Sequence, residues 1–112
     1  MKIAIVGSRT FADLARVRRM VMELPKGTTI ITGGAKGVDQ AAEKGARDAG
    51  LKCEVILPDY PRYGRVAPLH RNRLIVEAAD HVVAFWDGFS GGTANALAWA
   101  AALGKDATEH LQ

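Results

Sequence analysis

The 112-residue chain is expected to fold as a single α/β domain, Rossmann-like and three-layered, with a parallel sheet of about four strands and helices on both faces. Three observations predict this. Short apolar runs alternate with segments of helical spacing. Pro25-Lys26-Gly27 and Gly50 punctuate the returns. Three of the apolar runs enter a small-residue loop that opens directly into a helix: Gly7-Ser8-Arg9, Gly33-Gly34-Ala35-Lys36-Gly37-Val38-Asp39, and Asp87-Gly88-Phe89-Ser90-Gly91-Gly92-Thr93.

Lys2–Val6 reads as a buried first strand. Phe11 to Leu24 follows as a helix, because Phe11, Leu14, Ala15, Val17, Val21 and Leu24 share a face while Arg16 and Arg19 turn to water. The β-branched run Thr28–Thr32 is the second strand. Gly37 to Ala49 is the second helix, packing through Val38, Ala41, Ala42, Gly45 and Ala46 and closed by Gly50. Lys52–Leu57 is the third strand and places Cys53 as a small buried residue. Pro58 to Ala67, with two tyrosines and two arginines, reads as an irregular loop. Pro68 starts a helix running to about Ala79. His81–Phe85 is the fourth strand and Thr93 to Leu103 the fourth helix. The domain is placed at 1–105, and residues 106–112 read as a polar, frayed tail.

That fourth helix has almost no polar face, which predicts self-association into a homodimer or higher homo-oligomer through residues 94–103. The other bulk features exclude more than they assign. No apolar run approaches the roughly 20 residues of a membrane span, so no membrane partner is expected. The run after Lys2 is too short for a signal peptide. One cysteine cannot form an internal disulfide, which makes a reducing cytoplasm the default location. A net charge of +3 without a Lys/Arg block suits a small anion at least as well as a polynucleotide. His81 and His110 are too scattered for a metal site, no His/Cys/carboxylate spacing marks one, and no cofactor is implied.

In a parallel α/β sheet the loops after the strands share one edge, so the three loops build one crevice. Glycines there let backbone N–H groups approach an anion, and a helix N-terminus adds a favourable field. Neither Gly-x-x-x-x-Gly-Lys-Ser/Thr nor Gly-x-Gly-x-x-Gly is present, so the site is not an ordinary mononucleotide or dinucleotide fingerprint.

Gly7-Ser8-Arg9, Thr32-Gly33-Gly34-Ala35-Lys36-Gly37-Val38-Asp39, Arg71-Asn72, and Phe85-Trp86-Asp87-Gly88 leading to Gly92-Thr93 together resemble the small YspA/YpsA-related members of the SLOG superfamily. That superfamily also holds the DNA-processing protein DprA and the LOG phosphoribohydrolases. The resemblance implies a Rossmann-like sheet and a site for a nucleotide-derived small molecule. Carried over, Gly7, Ser8 and Arg9 would bind a phosphate, and Gly33, Gly34 and Lys36 would bound the other side. Ser90, Gly92 and Thr93 would hold a second anionic group, with Arg71 and Asn72 reaching in from the third helix.

Asp87 could accept ribose hydroxyls or merely form the turn. Asp39 could serve the ligand or the helix dipole. Trp86, Tyr60, Tyr63 and Phe89 could offer a face to a base. His70 is a further acid/base candidate.

The LOG motif Pro-Gly-Gly-x-Gly-Thr-x-x-Glu places a catalytic Glu where this chain has Ala96. Without it the reaction lacks its obvious carboxylate, although Asp87 or Glu77 could substitute. Binding of a nucleotide-derived phosphate, for sensing or sequestration, is therefore the leading expectation. LOG-like hydrolysis of a nucleoside monophosphate is the alternative. DprA-like binding of single-stranded nucleic acid ranks third, with Tyr60, Arg62, Tyr63 and Arg65 as its stacking platform.

Overall fold

Ile3 and Ile5 point to one side of the first strand and Ala4 and Val6 to the other, and all four are buried. A strand apolar on both faces needs a sheet covered on both faces. The computed structural model, which describes residues 1–112, provides one. Its strands are β1 (Lys2–Gly7), β2 (Thr29–Thr32), β3 (Lys52–Val55), β4 (His81–Trp86) and β5 (Asp106–Leu111). They lie in the order β3-β2-β1-β4-β5, every pair parallel. The helices are α1 (Leu14–Met22), α2 (Val38–Ala49), the short α3 (Tyr60–Tyr63), α4 (Ala67–Ala78) and α5 (Gly91–Ala102). The Rossmann-like α/β architecture is thus as the sequence predicts.

Two cores separate the layers. On one face Ile3, Ile5, Ile30, Val83 and Phe85 meet Val17 and Val21 of α1 and Val38, Ala42 and Ala46 of α2. On the other, Ala4, Val6, Ile31, Val82, Ala84 and Trp86 meet Ile75, Val76 and Ala79 at the end of α4 and Ala96 and Ala100 of α5. Period-2 alternation along the strands decides which residues serve which core.

The sheet has five strands, not four. Asp106–Leu111, read from the sequence as part of a frayed tail, pairs along its whole length with β4, from His81↔Asp106 to Trp86↔Leu111. As an edge strand it is largely exposed and carries no apolar run, so it lacks a buried strand's signature. Tertiary contacts hold it. The His110 ring stacks on Phe85 at 4.6 Å, Trp86 Nε1 donates to Glu109 at 3.1 Å, and Ala12 N donates to Gln112 Oε1 at 3.0 Å.

The opposite edge differs too. β3 ends at Val55 and is exposed throughout, so Cys53 is exposed rather than buried. Within Pro58–Ala67, expected to be irregular, Asp59 Oδ1 accepts from Arg62 N and starts α3, and a 3-10 turn (Gly64–Val66) leads into α4. Nor is α5 deeply enclosed. Only Thr93, Ala96 and Ala100 are buried, leaving Ala94, Ala98, Ala101 and Ala102 exposed. No helix is long and apolar enough to cross a membrane.

Candidate functional site

Strand order reverses between β1 and β4: the chain runs outward from β1 to β3, then returns to β4. The loops after β1 and β4 therefore face each other across the switch point, where ligands bind in open α/β sheets. A cavity of about 420 Å³ opens there. Its walls include Gly7, Ser8, Arg9 and Thr10 after β1, Asp39 of α2, Pro68, Arg71 and Asn72 of α4, and Ser90, Gly91, Gly92 and Thr93 at the start of α5.

Hydrogen bonds fix the two facing loops against each other. Ser8 N donates to Phe85 O at 3.1 Å, Asp87 N donates to Ser8 Oγ at 3.2 Å, and Ser8 Oγ shares a hydrogen bond with Ser90 Oγ at 2.9 Å. The Asp87 carboxylate accepts from Phe89 N, Ser90 N and Ser90 Oγ, at 2.8, 2.8 and 2.9 Å. Those bonds, led by the one from Phe89 N, hold its carboxyl below the usual carboxylate range.

This leaves the helix end open. Ser90 is the N-cap residue of α5, yet its hydroxyl is spent on Asp87 and Ser8 and makes no cap bond. Ala94 N donates back to Ser90 O at 3.0 Å, and the amides of Gly91, Gly92 and Thr93 lie ahead of it, unserved by the helix. Gly91 and Gly92 also lack a conformational reason to be glycine. Neither has a positive φ, and a Cβ built on either meets nothing within 4 Å.

The loop after β2 is different in kind. Gly33, Gly34 and Lys36 do not line the cavity, contrary to expectation. A Cβ on Gly33 would collide with the Arg71 guanidinium, and one on Gly34 would sit 2.9 Å from Leu57 Cδ2. Gly33 serves packing, and Gly34 also takes a left-handed φ of 73° that disfavours any residue with a Cβ. Arg71 itself donates from Nη1 to Gly33 O and Ile56 O, at 2.6 and 3.4 Å, and from Nε to Asn72 Oδ1 at 3.1 Å. Asn72 Nδ2 donates to Gly92 O and Asn95 Oδ1, at 3.1 and 3.2 Å. The pair clamps α4 to the β2–α2 loop and to the start of α5, with charge left over for the cavity. Arg9 takes part in none of the three ion pairs and is exposed at the mouth.

Of the residues expected from sequence, Gly7, Ser8, Arg9, Arg71, Asn72, Ser90, Gly92 and Thr93 come together around the cavity. Asp87 turns into its own loop instead. Trp86 is buried against Glu109, and His70 stacks on Tyr63 at 4.0 Å beside a second, smaller cleft. Ala96 is 1% exposed inside the α5 core, so a carboxylate introduced there would start from a buried position. Val6, Thr10, Ala35 of the β2 loop, Pro68, Ile75 and Gly91 complete the wall, and the sequence assigns none of them to the ligand. Gly91 had a signal, its place beside Gly92 at a helix start.

Asp39 is the buried carboxylate in the wall, with Oδ2 accepting from Gly33 N and Ala35 N at 3.1 and 3.2 Å. Burial pushes its carboxyl from 3.8 up to about 6, against the two N–H bonds and the charge of Arg71, and Glu43 adds to the rise. Between about pH 4 and 6 the folded protein therefore keeps a proton that the unfolded chain has lost. This group's contribution to stability falls as pH rises through that window. Asp39→Asn should remove the slope. Relative to the variant, the wild type should lose up to about 3 kcal/mol of unfolding free energy between pH 4 and 7 in denaturant titrations. A wild-type–variant difference that stays constant with pH would contradict the assignment.

A family model described as the YspA, cpYpsA-related SLOG family matches residues 1–63. No curated protein matches the chain. Among solved structures, DNA processing protein A (DprA) from Streptococcus pneumoniae has a TM-score of 0.84 at 22% identity, over 96% of this chain and 49% of that one. DprA from Helicobacter pylori, described by its single-stranded DNA binding mode, has a TM-score of 0.84 at 23% identity, over 100% and 66%. A structural genomics target, TM1055, has a TM-score of 0.72 at 28% identity, over 95% and 71%. The chain thus spans about half the length of the Streptococcus protein. At these identities the two DprA structures establish a shared fold.

Proposed function

The chain belongs to the YspA, cpYpsA-related SLOG family, and we propose that it binds a nucleotide-derived phosphate in the cavity between the β1 and β4 loops. The observation that supports this most is the start of α5. Its amides are free, its N-cap hydroxyl is turned away, and Gly91 and Gly92 are glycines that neither backbone nor packing requires. A ligand in close contact supplies the missing reason, and an anion suits the donors and the helix field. Arg9 adds an unpaired guanidinium on the facing loop. Arg9→Ala should weaken inorganic phosphate and AMP binding about tenfold or more by calorimetry, the worth of one charge-assisted contact. Retention of full affinity would remove Arg9 from the site.

Binding rather than chemistry is favoured because the position of the LOG glutamate is a core alanine, Ala96. Release of free base from a nucleoside monophosphate would overturn that preference. Single-stranded DNA is the second reading, supported by the two DprA folds. It requires a salt-sensitive shift of an oligonucleotide, and no shift at low salt removes it. Self-association through residues 94–103 also remains part of the proposal, since the outer face of α5 exposes Ala94, Ala98, Ala101 and Ala102. A monomer mass in sedimentation at micromolar concentration would count against it.

A further inference from the structure

Phe89 is 89% exposed, more than any other large apolar side chain of the protein. It sits at the tip of the β4–α5 loop, one residue before the cavity wall at Ser90. Exposed aromatic rings on loose loops are unremarked surface, but this loop is tightly held. Gly88 takes the left-handed conformation at φ 85°, Asp87 accepts from both Phe89 N and Ser90 N, and Ser90 Oγ is tied to Ser8. The main chain therefore presents the Phe89 ring to water from a fixed point beside the α5 amides. No packing gain within the domain accounts for it.

The cavity wall contains no aromatic residue. Trp86 is buried, Tyr63 lines the other cleft, and Tyr60 stands on α3 without lining the cavity. A phosphate ligand that carries a base thus finds polar donors inside and the exposed Phe89 ring next to the start of α5. The geometry points to Phe89 as a nucleobase-stacking residue, so that the ligand is a nucleoside 5′-phosphate held with its phosphate at the α5 amides and its base outside the cavity on the Phe89 ring. This rests on the phosphate reading of the cavity. The apolar face of a base is recognised by stacking whichever base it is, so affinity for the phosphate with a base should exceed that without one, with little discrimination among bases.

Calorimetric titration of the wild type, Phe89→Ala and Phe89→Trp with AMP, ribose 5-phosphate and inorganic phosphate tests this. On the wild type, AMP should bind about tenfold or more tighter than ribose 5-phosphate, the range expected of one stacked base. Phe89→Ala should bring AMP down to ribose 5-phosphate and leave the other two ligands unchanged, and Phe89→Trp should restore the difference. Equal affinities for AMP and ribose 5-phosphate on the wild type, or an AMP preference that survives Phe89→Ala, would overturn the stacking role while the cavity reading stands. Failure of all three ligands to bind the wild type would overturn the cavity reading itself, and the stacking role with it.

Discussion

Replacing Gly91 and Gly92 together by alanine should make the protein more stable and a poorer binder. Both residues lie in the first turn of α5 without positive φ, and an added Cβ has open space. Glycine in a helix is held at an entropic cost relative to alanine, so each substitution should gain about 0.5 kcal/mol. Cβ atoms in a helix tilt toward its N-terminus, so the two methyl groups enter the space ahead of the free amides. Phosphate affinity should therefore fall at least about tenfold, as when a charge-assisted contact is lost. Thermal unfolding and phosphate titration of the same double variant read both effects. A stability loss would mean the glycines serve the fold, and unchanged affinity would mean no anion approaches them.

Gly7→Ala should do the reverse of stabilising. Gly7 ends β1, where a Cβ would run into the Phe85 carbonyl and lie 2.6 Å from Val38 Cγ2. The first obstacle is backbone of the neighbouring central strand, already accepting from Ser8 N, and cannot rotate away. Overpacking against such neighbours costs about 3 kcal/mol, which would lower the melting temperature by roughly 10 °C or more. A melting temperature within a few degrees of the wild type would contradict this packing.

These predictions separate two kinds of glycine that look alike in the sequence. Gly7 and Gly33 are small because protein atoms occupy the space beside them, the β4 backbone in one case and Arg71 in the other. Gly91 and Gly92 are small with nothing beside them. The strand–loop–helix rhythm made both kinds legible as loops at one sheet edge, and the topology did bring the loops after β1 and β4 together. It could not say that the β2 loop would be filled by Arg71, because that depends on α4 packing 38 residues downstream in the chain.

The same distinction explains the strands. Inner strands announce themselves because both faces are buried, as in Ile3–Val6 and Val82–Phe85. The edges do not. β5 is polar and is held by Phe85, Trp86 and Ala12 rather than by its own apolar run, and β3 leaves Cys53 exposed. Asp39 was legible as a helix-start carboxylate, but its raised pKa comes from burial that only the assembled loop creates.

If an anion meets the start of α5 opposite Arg9, titration of ¹⁵N-labelled protein with inorganic phosphate should move the amide chemical shifts there. Saturable shifts should concentrate at Gly91, Gly92, Thr93 and Arg9 and leave Lys36, outside the cavity, in place. Saturable shifts centred on Lys36 or on the α3 segment, with the start of α5 unmoved, would contradict that placement of the anion.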